Sequence, residues 1–298
     1  MKGKLSPLLI LLAAILWGTT GTTQAFAPVT AHPIAIGATR LAVGGIFLGL
    51  MVLLIGKLDF KHWPIKATIL ASLSMALYQP LFFSAVSITG VAIGTVVAIG
   101  SAPILSGFIE WLFFKKRPAK VWWCSTFLSI IGCLLLFSNK ESVYVDPIGI
   151  AMALGAGLSF AIYALVSSTL VEGRSSLSVV AVVFTLSAIW LSPCLFIFDM
   201  SWILSVRGVG ASLQLGIMAT GIAYLLFAKG LIHVSASTAV TLTLAEPLTA
   251  AVLGVFLLGE YLNITSLLGL LFLLLGIGIL IWPFKRSANE KELSLVQK

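Results

Sequence analysis

The sequence predicts an all-α integral membrane protein of ten transmembrane helices, arranged as two inverted five-helix repeats. Three observations predict it. Of the 298 residues, 59% are hydrophobic and only 9% charged, whereas a soluble domain carries about 25% charged residues to face water. Apolar runs of about twenty residues, the length a helix needs to cross the hydrocarbon of a bilayer, recur along the whole chain. The basic residues fall on alternate connections between those runs, as they do in a threaded membrane protein. Too few polar side chains remain to coat a soluble particle of this size. Soluble enzymes, disordered scaffolds and nucleic-acid binders are excluded, and the formal charge of +8 does not restore the last of these.

Each backbone group in lipid must be hydrogen-bonded within its own segment, so each apolar run is a helix. In order they are 5–25, 34–55, 67–87, 91–114, 121–138, 147–171, 177–198, 209–228, 235–258 and 265–282. Their breaks carry turn chemistry: Ala27-Pro28 after the first, Ile88-Thr89-Gly90 after the third, Asp146-Pro147 before the sixth and Gly259-Glu260 after the ninth. The connection at 88–90 is the tight one expected between antiparallel neighbours. An even number of spans puts both ends on one face. If that face is cytoplasmic, the inside segments hold Lys2, Lys4, Lys57, Lys61, Lys66, Lys115, Lys116, Arg117, Lys120, Arg174, Lys229, Lys285, Arg286, Lys291 and Lys298. The outside loops hold only Lys140 and Arg207, and Arg40 lies within a span. Basic residues are retained on the cytoplasmic face, so this split sets the orientation: a multi-pass protein of the cell membrane with both termini cytoplasmic. Lys2 and Lys4 ahead of the first run imitate a signal peptide, with Ala25-Phe26-Ala27 as its cleavage site. Pro28 after the cut and the polar stretch 18–24 argue against cleavage, so the first span is retained. Residues 283–298, of mixed charge, form a disordered cytoplasmic tail.

An offset of 144 residues superimposes the fourth and fifth spans on the ninth and tenth: Ala92 on Ala236, Val96 on Val240, Pro103 on Pro247 and Gly132 on Gly276. The halves are 5–138 and 147–282. Each holds an odd number of spans, so the second enters the membrane from the opposite side. Inverted repeats of this kind build transporters with a substrate site near the bilayer midplane. Pro103 and Pro247 sit mid-span at equivalent depth, where each removes a backbone donor and loosens the helix, and both are candidate conformational hinges.

An ionised side chain near the bilayer centre costs about 2.5–3.5 kcal/mol on insertion scales and is usually paired or functional. Glu246 lies at the middle of the ninth span. Arg40 lies in the second, roughly 6 Å outward of its centre at 1.5 Å per residue. Three readings stay open: both face a central cavity, Arg40 for a substrate carboxylate or, when empty, for Glu246, and Glu246 for an amine or a proton; the two form a permanent structural pair; or they make no contact. Trp17, Tyr78, Gln79, Tyr163 and Tyr224 are uncharged candidates for the cavity wall, because lipid does not favour such groups at that depth. Glu110, one turn from Lys115–Arg117, reads as an interface anchor, and Lys229 as a snorkelling one. His32 and His233 fall in loops. Cys124, Cys133 and Cys194 show no metal-ligand spacing, and no GxxxxGK phosphate loop occurs.

The stretch Ala236-Ser237-Thr238-Ala239-Val240, then Leu244-Ala245-Glu246-Pro247-Leu248-Thr249-Ala250-Ala251, then Leu257-Leu258-Gly259-Glu260 resembles the second-repeat signature of EamA-type permeases of the drug/metabolite transporter superfamily. Trp17-Gly18, Arg40, Ala102-Pro103 and Lys116-Arg117-Pro118 resemble first-repeat counterparts, with Lys116 standing where the second repeat has Glu260. The resemblance covers about residues 5–282. It implies a ten-helix inverted-repeat carrier, typically an exporter of small metabolites, amino acids or toxic compounds. The expected function is therefore secondary transport by alternating access, with a small-molecule substrate, a possible proton partner and no cofactor, metal or enzymatic activity. A non-transporting scaffold or sensor and a membrane-embedded enzyme are the alternatives; the latter would need clustered catalytic groups that the spans lack.

Overall fold

A computed structural model of the chain describes residues 2–55, 63–115, 117–137, 146–259 and 261–296. Lys57, Lys61, Lys116, Lys140, Glu260 and Lys298, used above for topology and resemblance, lie outside them. Among the described residues the structure is helical, without strands. Nine helices of the described residues are long and apolar enough to cross a membrane: α1 (Leu5–Phe26), α2 (Pro33–Ile55), α3 (Ile65–Gly90), α4 (Ile93–Phe114), α6 (Pro147–Leu170), α7 (Ser176–Ile197), α8 (Val206–Leu231), α9 (Ala236–Leu257) and α10 (Ile264–Trp282). A shorter apolar helix, α5 (Lys120–Leu136), lies between α4 and α6.

Local chemistry sets several ends. The helical run from Ile65 to Phe114 is interrupted at Gly90, whose φ of 83° is a left-handed conformation that glycine adopts without steric cost. The chain thereby turns within the predicted 88–90 connection. Asp146 caps α6, its carboxylate accepting from the Ile148 and Gly149 amides at 2.7 and 3.2 Å, with Pro147 in the first turn.

Three features depart from plain spans. The middle of α8 widens into a π-helix over Gln214–Ile222. α9 is broken at Thr243–Leu244, dividing it into Ala236–Leu242 and Ala245–Leu258. The helix of α10 continues to Val296, where a disordered tail was expected; Ala, Glu, Lys and Leu in that stretch are strong helix formers.

The main apolar core joins α1, α2, α6, α7 and α8 through residues such as Leu41, Leu48, Tyr163, Phe184, Leu215 and Phe227. A second cluster, including Cys133, Leu136, Leu244 and Leu273, ties α5 and α10 to α9. Large apolar side chains such as Leu53, Phe108, Phe113 and Leu274 are exposed on the outside, as lipid-facing side chains are. The α5–α10 contact is close and antiparallel. A Cβ on Gly132 would stand 2.6 Å from the Leu273 nitrogen and 2.7 Å from the Gly269 oxygen, and one on Gly276 would stand 2.9 Å from the Ser125 oxygen. The Ser125 hydroxyl donates to the Gly276 carbonyl at 2.6 Å, and that of Ser266 to the Leu136 carbonyl at 3.0 Å.

Candidate functional site

A cavity of about 420 Å³ lies among α1, α2, α3, α4, α6, α8, α9 and the start of α10. This volume falls within the range of small-molecule sites. Its wall includes Trp17, Arg40, Tyr78, Tyr224, Glu246 and Pro247, so six of the nine residues singled out from sequence meet there.

Two polar elements face the cavity. The α9 break places Glu246 in the first turn of the half-helix Ala245–Leu258. Pro247, the next residue, has no amide proton to give to the Thr243 carbonyl, which accepts instead from the Glu246 amide at 2.8 Å. The proline thus shapes the break and fixes where Glu246 emerges. α1 presses on this turn: a Cβ at Gly18 would stand 2.8 Å from the Glu246 carbonyl. On α2, the buried Arg40 donates through Nε to the Thr220 hydroxyl at 2.9 Å and through Nη2 to the Ala219 carbonyl at 3.1 Å. Arg40 and Glu246 both line the cavity without forming an ion pair within 4.0 Å. Neither a permanent Arg40–Glu246 pair nor the contact between them expected of an empty cavity is present at that distance.

Aromatic rings form much of the rest. Trp17 packs against Tyr224 at 4.7 Å, Phe227 at 5.4 Å and Phe160 at 5.8 Å between ring centroids. Tyr78 stacks on Phe82 at 5.5 Å and approaches Phe160 at 6.0 Å. The Trp17 indole nitrogen, the Thr20 hydroxyl and the Gln24 amide nitrogen are buried without hydrogen-bond partners.

Three of the predicted residues stand elsewhere. Tyr163 lies behind the wall, edge-on to Tyr224 at 5.5 Å and Phe184 at 5.9 Å. Gln79 is fully buried against α2 at Gly37, with neither amide atom hydrogen-bonded. Helical geometry gives the reason: neighbours of a lining residue such as Tyr78 point about 100° away from it. Pro103 follows the lining residue Ala102 in an unbroken α4, so the two aligned prolines do not shape their helices alike. Glu110, read as an interface anchor, is not a free side chain at the helix end. It is buried, and its carboxylate accepts from the Ser237 amide at 3.1 Å, at the start of α9.

Sequence reasoning missed Phe82, Phe160, Thr243 and the mouth residues Tyr261 and Asn263. Phe82 was within reach, since it falls four residues after the lining residue Tyr78, on the same helical face.

Comparison with known proteins gives a concordant picture. A family described as the EamA-like transporter family matches the chain twice, over residues 4–138 and 147–282. The chain is 52% identical over 277 residues to the uncharacterized transporter YwfM of Bacillus subtilis (strain 168), covering 93% of this chain and 94% of that protein. It is 29% identical to the threonine/homoserine exporter RhtA of Escherichia coli (strain K12), covering 89% and 87% respectively. A solved structure titled "Crystal structure of protein" shares the fold with a TM-score of 0.82 at 18% identity, covering 95% of this chain and 98% of its own.

Proposed function

Because the chain belongs to the EamA-like transporter family, we propose that it is a secondary transporter exporting amino acids or related amphiphilic metabolites by alternating access around the Arg40–Glu246 cavity. It is a multi-pass membrane protein of a transporter family. Its placement in the cell membrane with both termini cytoplasmic rests on the distribution of basic residues.

One observation carries the reading: two opposite charges line one cavity of about 420 Å³ without meeting each other. Such an arrangement suits a zwitterion, with Arg40 taking the carboxylate and Glu246 the ammonium group or, when the cavity is empty, a proton. Trp17, Tyr78 and Tyr224 supply the apolar wall. The relative RhtA, a threonine/homoserine exporter by name, supports a zwitterionic substrate and an outward direction.

Alternating access through ten spans in two inverted halves, 5–138 and 147–282, has two supports. Equivalent helices α5 and α10 pack antiparallel, Gly132 meeting residues 269 and 273 while Gly276 meets 125 and 129. Those partners are themselves related by the 144-residue offset, as a two-fold axis in the membrane plane requires. Second, the cavity's exposed lining residues, Gly21, Ala25, Tyr261 and Asn263, lie toward the helix ends away from the chain termini. At the other face the carboxylate of Glu110 joins α4 to α9. On this reading the cavity opens away from the termini, and the Glu110 contact latches the other side.

The test is efflux from cells preloaded with L-threonine, L-homoserine and a panel of branched and aromatic amino acids. Faster loss of at least one of them with the chain than with its Glu246→Gln variant is expected. Equal loss of every compound from cells with and without the chain overturns the proposal.

A further inference from the structure

Arg40 is held by one edge only. Its Nε and Nη2 groups point the same way along the guanidinium and grip consecutive acceptors, the Thr220 hydroxyl at 2.9 Å and the Ala219 carbonyl at 3.1 Å. The remaining N–H groups, on Nη1 and the far side of Nη2, make no hydrogen bond among the described residues. A guanidinium presents two parallel N–H groups on each such edge, matched to the two oxygens of a carboxylate.

The acceptors exist because α8 is not an α-helix at this point. In an α-helix the Ala219 carbonyl would receive the amide of Ala223. Here the Ala223 amide donates to the Met218 and Thr220 carbonyls and bypasses Ala219, leaving that oxygen turned to Arg40. The Thr220 hydroxyl is equally committed. It donates to the Leu215 carbonyl, five residues back, at 2.8 Å, so its lone pair faces Nε. Gly44, one turn after Arg40 on α2, brings the two helices close enough: a Cβ there would stand 2.9 Å from the Gly216 carbonyl. A buried cation normally has an anionic partner, and no carboxylate of the described residues lies within 4.0 Å of this one.

We propose that Thr220 is a positioning residue. With the Ala219 carbonyl freed by the π-turn, it clamps one edge of Arg40 so that the other edge stands toward the cavity for two-point capture of the substrate's carboxylate. The inference rests on the transport reading of the cavity. It adds the group that sets Arg40's orientation, and a requirement that the substrate carry a planar carboxylate. Hydrogen bonds to charged groups are the strong ones, so losing the clamp weakens carboxylate binding by about tenfold or more.

The experiment uses the full chain reconstituted in lipid vesicles, with radiolabelled L-threonine and L-phenylalanine as probes and their methyl esters as competitors. Thr220→Val keeps the shape and removes the acceptor; Thr220→Ser keeps the acceptor. Thr220→Val is expected to raise the half-saturation concentration of the acid about tenfold while leaving the maximal rate within about twofold. Competition by the ester is expected to be unchanged, and Thr220→Ser to restore the original value. An unchanged half-saturation concentration, or an equal shift for acid and ester, overturns the proposal. If neither acid is carried by the original chain, the amino-acid reading fails for both probes, and the clamp is judged by heating the purified chain with sodium acetate or sodium chloride. Acetate-specific stabilisation that survives in Thr220→Ser and disappears in Thr220→Val supports it. Equal behaviour of the three chains overturns it.

Discussion

Gly132 on α5 and Gly276 on α10 stand 144 positions apart, and each lies against the backbone of the other's helix. The Ser125 hydroxyl seals the second contact by donating to the Gly276 carbonyl at 2.6 Å. Leucine at either position would force backbones apart, and overpacking of this kind costs about 1–3 kcal/mol. Gly132→Leu and Gly276→Leu are both expected to lower the thermal midpoint of the detergent-purified chain. Gly100→Ala, at a site with open space for a Cβ, serves as the control and leaves the midpoint at or above its original value. A stable Gly132→Leu chain would show that the approach of α5 to α10 does not hold the two together.

Glu246→Gln removes a charge while preserving shape. It breaks no ion pair within 4.0 Å, so the folded fraction and thermal midpoint should be nearly unchanged while efflux falls at least tenfold. Efflux at the original rate, with matched amounts of protein in the membrane, would strip Glu246 of any role in transport.

Pro103→Ala and Pro247→Ala should differ, although the two prolines align in sequence. α4 is already unbroken at Pro103, so the first variant only adds a backbone donor and should transport normally. In α9 the alanine amide can bond the Thr243 carbonyl and continue the helix, which re-aims Glu246 and should cut transport several-fold. Equal rates for the two variants would argue that the α9 break is not needed.

Glu110→Ala removes the carboxylate that receives the Ser237 amide at the start of α9. Losing a cap of this kind costs about 0.5–2 kcal/mol. Cysteines placed on the α1 and α8 faces of the cavity should then react faster with a charged thiol reagent applied from the face bearing the chain termini. Unaltered labelling from that face would mean that the contact does not latch the closed side.

How much was legible differs between fold and site. The 3.6-residue geometry of a helix and the thickness of lipid fix lengths, so composition and short polar breaks located the helices to within a few residues, and the φ of Gly90 fell inside a connection read from Ile88-Thr89-Gly90. Ionisable groups within lipid are so costly that Arg40 and Glu246 stand out from sequence alone. Which of their uncharged neighbours share the cavity was not legible, because an apolar helix has no polar face to betray its rotation. Tyr78 lines the wall while Gln79 beside it does not.

The amino-acid sequence by itself determined that this chain is a bundle of membrane-length helices with two intramembrane charges, since hydrocarbon admits few other solutions. Tertiary structure alone decided that Arg40 and Glu246 border one cavity without pairing, that Glu110 reaches the start of α9, and that a widened turn in α8 offers Thr220 and Ala219 to Arg40. Those outcomes depend on helix rotation and on single-residue shifts in hydrogen-bond register. Both are settled by packing between segments more than a hundred residues apart, about which local sequence carries no information.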